Sequence, residues 1–126
     1  MTDKPRTPAD ISDDAFEAIR DLNHATAEGG LEYPGEAYAT IDNLKVLAQQ
    51  LPQALRQIRE FLGRLEADGH LRTDNGPDDL AFRMEDLRTS LTTAACSADA
   101  LYQNLDEAHN ALRPITYRAT LRRTWD

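Results

Sequence analysis

At 126 residues and 14.1 kDa the chain has the length of one domain, with enough residues for a core but few enough that burial against a partner would matter to its stability. Its 22 acidic and 14 basic side chains leave a net charge of −8, which argues against a grip on nucleic acid, because phosphate backbones are held by clustered Lys and Arg. The single cysteine, Cys96, excludes an internal disulfide framework, and the polar, acidic start of the chain and the lack of any run near ~18 apolar residues set aside a leader or a membrane span; a cytoplasmic protein is expected.

In chain order, residues 1–6 are expected as a flexible tail, residues 7–113 as one helical domain and residues 114–126 as a basic tail. Thr7, Pro8 and Asp10 supply an N-cap, a first-turn proline and an acid at the positive end of a helix dipole. The first helix, about 8–27, carries Ile11, Ala15, Ala18, Ile19, Leu22 and Ala25 on one side and stops at Gly29-Gly30. Pro34 and Gly35 open a second helix, about 34–68, with Gly69 as its left-handed cap. Pro52 lies inside it. The apolar spacing keeps its phase across Pro52, so one bent helix is expected rather than two.

Gly69 to Pro77 is rich in turn residues, and Asp78 and Asp79 suit the start of a third helix, about 78–113, which Pro114 ends. Two apolar stripes, spaced alternately four and three residues apart, define the long helices. The first is Ala37, Ile41, Leu44, Ala48, Leu51, Leu55, Ile58, Leu62 and Leu65; the second is Leu80, Met84, Leu87, Leu91, Ala94, Ala98, Leu101, Leu105, Ala108 and Leu112. A connection this short makes the helices antiparallel neighbours. The expected fold is therefore all-α: a long antiparallel helical hairpin with a shorter N-terminal helix packed on it, an up-down bundle with coiled-coil-like spacing.

If the stripes face each other, Leu47, Ala54 and Phe61 widen the first into a face able to meet a third helix. The hairpin tip gathers Phe61, Leu62, Leu65, Phe82 and Met84, more apolar surface than two helices bury unaided, and Phe82 lies opposite its own stripe. These five are the candidate interaction residues. The partner expected there is a second copy, as a dimer or higher homo-oligomer, or another helical protein. A second surface, Thr89–Ala100, has small side chains nearly all round and is expected to pack on the first helix, with Cys96 on the side away from the main stripe.

Catalytic chemistry finds little footing. His24 with Glu28, and Asp106 with His109, each put two possible metal ligands on one helix face, but a carboxylate-bridged centre needs a matching set from four helices. Ser90, Cys96 and Ser97 have no nucleophile elbow or base spacing around them, and Gly29-Gly30 is not followed by the Lys-Ser/Thr of a phosphate loop. No enzyme, cofactor, metal, membrane or small-molecule role is expected. A rival reading rests on the acidic first third, where residues 1–44 hold ten acids against three bases: Asp10, Asp13, Asp14, Glu17 and Asp21 would occupy a basic protein surface in the manner of a nucleic-acid mimic.

Asp21-Leu22-Asn23-His24-Ala25-Thr26, Tyr33-Pro34, Asn43-Leu44 and Leu51-Pro52-Gln53 together resemble small helical proteins of actinobacteria, of the Streptomyces kind. That resemblance covers about the first half of the chain and implies a cytoplasmic protein with no activity to carry over. In shape alone, the hairpin is also similar to the Trp-x-Gly family of type VII secretion substrates. The connecting turn here has no tryptophan, the only Trp being Trp125, so a secreted helical hairpin stands as the minor alternative.

Overall fold

A computed structural model describes residues 5–119. Its described residues contain three helices and no strand: α1 (Pro8–Ala27), α2 (Pro34–Ala67) and α3 (Pro77–Leu112). Each boundary falls within a residue of the sequence expectation, because each is fixed by local chemistry. The Thr7 hydroxyl accepts from the Asp10 amide at 3.1 Å while the Asp10 carboxylate accepts from the Thr7 amide at 3.3 Å, a reciprocal capping box. At the end of α2, Gly69 takes φ 75° and the His70 and Gly69 amides donate back to Leu65 and Glu66 at 2.9 and 3.1 Å. That is a Schellman closure, and a side chain at Gly69 would strain it.

The chain divides into two compact units, and the division falls inside the single domain expected for residues 7–113. Among the described residues, one unit holds α1 with its flanks up to Ala37, together with residues 116–119; the other is Tyr38–Ile115. Within the first unit α1 buries none of its residues, and Ile11 and Phe16 are more than half exposed. Tyr33 and Tyr117 meet edge to face at 5.0 Å, which ties the start of the basic tail to the link before α2. Arg122, Arg123 and Trp125 lie outside the described residues.

The second unit is the hairpin. Its register is written by cross-helix pairs: Tyr38 with Arg113 (3.3 Å), Asp42 with His109 (3.5 Å), Lys45 with Asp106 (3.2 Å), Arg59 with Thr92 (2.8 Å) and Glu66 with Arg88. Each advance along α2 is matched by a nearly equal retreat along α3. The helices are therefore antiparallel in one register over their whole length.

These pairs correct the phase of the expected seam. Buried or half-buried side chains of α2 include Tyr38, Ile41, Lys45, Ala48, Pro52, Leu55, Arg59, Leu62 and Glu66, with Leu44 and Leu65 beside them, and those of α3 include Met84, Arg88, Leu91, Ala95, Ala98, Tyr102, Leu105, His109 and Leu112, with Leu80, Leu87 and Ala94 beside them. Toward the middle of the hairpin the expected Leu51, Ile58 and Leu101 give way to their neighbours Pro52, Arg59 and Tyr102, a turn of roughly half the 100° between consecutive helical residues. Leu55 and Leu87 stay half-buried, but Leu51, Ile58 and Leu101 are exposed. The physical reason is twofold. Each apolar stripe is wide enough to permit either phase, and the rotated one pairs Lys45, Arg59 and Glu66 with α3 across the seam.

That middle is built from Ala48 and Pro52 on α2 and Ala95 and Ala98 on α3, all four buried. Of the small stretch Thr89–Ala100, Ala95 and Ala98 serve the α2–α3 seam. Pro52 leaves α2 continuous from Pro34 to Ala67, as the unbroken spacing implied. Its ring, unable to donate to the Ala48 carbonyl, faces a surface small enough to accept it.

Candidate interaction surface

One face of the hairpin, beside the seam, is polar. The Asp106 carboxylate accepts from Lys45 and holds that ammonium above the ordinary lysine range; the contribution is present at neutral pH and is lost only as pH climbs past roughly 10.4. Tyr38 stacks on His109 with ring centres 4.0 Å apart, and His109 is 7% exposed. Both its nitrogens are buried without a hydrogen bond, although Asp42 approaches Nε2 to 3.5 Å. At the loop, the Asp79 carboxylate accepts from the Thr73 hydroxyl at 2.7 Å and from Arg83 Nε at 2.9 Å, and these donors hold it below its ordinary range. The loop therefore keeps this support above about pH 4 and loses it as pH falls further.

The five tip residues do not form one patch. Met84 is 5% exposed and belongs to the seam, as does half-buried Leu62. Phe61, half exposed, and half-buried Leu65 continue the apolar flank of α2. Phe82, 73% exposed, stands on the back of α3. It does not line the depression of about 220 Å³ formed in the loop by Leu71, Thr73, Pro77 and Leu80.

Opposite the polar side lie apolar residues of the expected seam. Leu44, Leu51, Ile58 and Leu65 recur every seven residues on α2, flanked by Leu47, Ala54 and Phe61; Leu80, Leu87, Ala94, Leu101 and Ala108 recur every seven on α3. Since the cross-helix pairs all occupy the other side of the seam, antiparallel geometry turns both rows toward the same face. Leu47, Leu51, Ile58, Phe61 and Leu101 are each 38 to 50% exposed there. The flank Leu47, Ala54 and Phe61 was visible in the sequence. Its continuation onto α3 was hidden, because those leucines were needed to fill the expected seam.

The other candidate residues are occupied or scattered. Asp106 is committed to Lys45, His109 to its stack, and no group of three or more potential ligands gathers among the described residues. Cys96 is exposed, as its place on the helix predicts. In the acidic third, Asp10 completes the cap, Asp14 pairs with Arg6 and Glu17 with Arg20 at 2.6 Å. No described helix is long and apolar enough to cross a membrane.

The geometry defines an all-α protein, a long antiparallel hairpin preceded by a shorter helix. No protein-family model matches the chain, and no curated protein or solved structure matches it.

Proposed function

We propose that the protein is a non-enzymatic helical interaction module that self-associates. One observation carries this reading: among the described residues no large side chain is fully buried, while Leu51, Ile58, Phe61, Phe82 and Leu101 keep 38 to 73% of their surface in water. A hairpin that leaves its aliphatic side chains this wet gains by burying them against another chain, at about 25 cal/mol per Å².

Light scattering over a range of concentrations tests it. The expected mass is a multiple of 14.1 kDa that persists from low salt to ~0.5 M, where the Debye length is only a few ångströms. A mass of 14.1 kDa at every concentration would remove the reading. Dissociation by salt alone would favour the acidic-surface rival.

A further inference from the structure

Ile11, Ala15, Ala18, Ile19, Leu22 and Ala25 share one side of α1, yet none of them is buried. The two edges of that side differ. Asp14 and Asp21 run along one, with Asp10 and Glu17 behind them, whereas Ser12, Asn23 and Thr26 line the other. The single base of the helix, Arg20, lies on the far side and is paired with Glu17. A cover for this side must therefore bring apolar bulk, with positive charge along one edge.

Residues 116–126 have that composition: Leu121 and Trp125 stand among Arg118, Arg122 and Arg123, against the single acid Asp126. They also start in the right place. Tyr117 meets Tyr33 at 5.0 Å, and Gly30, three residues before Tyr33, still bonds back to Ala25 at 2.7 Å. The segment thus sets out beside the C-terminal end of α1, where the helix dipole is negative and the side chains of Asp21, Glu28 and Glu32 have no partner among the described residues. Eight residues separate Tyr117 from Trp125, about 26 Å of extended chain, while Ile19 lies only about 9 Å along the helix from Ala25.

We infer that residues 120–126 dock on this side of α1 as a strap, with Leu121 and Trp125 covering Ile19, Leu22 and Ala25, and Arg122 and Arg123 meeting Asp21 and Glu28. The occupant is the chain's own segment and not a second copy's. Tyr117 already joins it to the unit that holds α1, and so short a tether gives an effective concentration of order mM. The strap stands apart from the self-association proposed above, since it uses neither the hairpin nor a second chain.

Trp125 is the only tryptophan, so its fluorescence in the full chain reads the strap directly. The ring should emit to the blue of the urea-unfolded chain and be quenched several-fold less by acrylamide, equally at every protein concentration. Asp21→Lys, at an exposed position, should raise the quenching toward the unfolded value with circular dichroism unchanged, and Arg122→Glu with Arg123→Glu should do the same. All three reversals in one chain should restore the protection, which a purely structural role for either site would not. A wild-type ring quenched as freely as in urea overturns the strap. Protection that ignores both sets of reversals overturns it too, because the ring is then covered elsewhere, and protection that grows with protein concentration assigns the cover to a second copy. If Asp21→Lys unfolds α1, the arginine pair, outside every described helix, decides. Failure of self-association shows in the mass, and failure of the strap in the quenching.

Discussion

His109 shows how little a helix-face pattern says about a single side chain. As one half of an Asp106/His109 pair it has the spacing of two metal ligands, yet Asp106 turns to Lys45 and the imidazole turns inward beneath Tyr38. Burying both nitrogens without partners costs stability, since each has exchanged water for nothing, and the 3.5 Å approach of Asp42 compensates only in part. His109→Phe keeps the aromatic stack and removes both unpaired atoms. It is expected to raise the unfolding free energy by about 1 kcal/mol, read from urea titration. A fall of that size would show instead that the contact with Asp42 outweighs the desolvation of the ring.

At the scale of elements, the places where helices begin and end were legible because they depend on chemistry within four or five residues. Thr7 and Asp10 cap α1, Gly69 closes α2, and Pro77 with its two aspartates opens α3. The rotation of each long helix was not legible. Both are apolar over more of their circumference than one seam needs, and the choice is made by side chains reaching across from residues 22 to 75 positions away, such as Arg88 to Glu66 and Arg113 to Tyr38. Two polar seam positions, Lys45 and Arg59, looked like surface in the sequence for the same reason. Pro52 belongs to this scale too. Replacing it by alanine regains a backbone hydrogen bond and removes a helix-interior proline, worth up to ~3 kcal/mol, but it empties two ring methylenes from the buried seam at about 0.8 kcal/mol each. Pro52→Ala should therefore hold or raise the thermal midpoint. A drop of more than about 5 °C, near 1 kcal/mol for a domain this size, would mean that the proline's shape at the seam matters more than the bond it forfeits.

Across the whole molecule, burial is unequal between the two units, and this should divide the chain dynamically. The hairpin holds every buried residue described, whereas α1 holds none and depends on its capping box, its dipole-matched acids and its own backbone bonds. Twenty residues with such local support make a marginal helix when packing adds little. Native-state hydrogen exchange should accordingly find the slowest amides around Ala48–Leu55 and Ala95–Tyr102, where buried small residues line the seam, and much faster exchange throughout α1. Thr7→Ala, which removes one half of the cap, should weaken α1 protection by about 1 kcal/mol and leave the hairpin amides unchanged. Equal protection in α1 and the seam would contradict this division, because a helix that opens only with the core must be held by contacts that cost as much to break as the core itself.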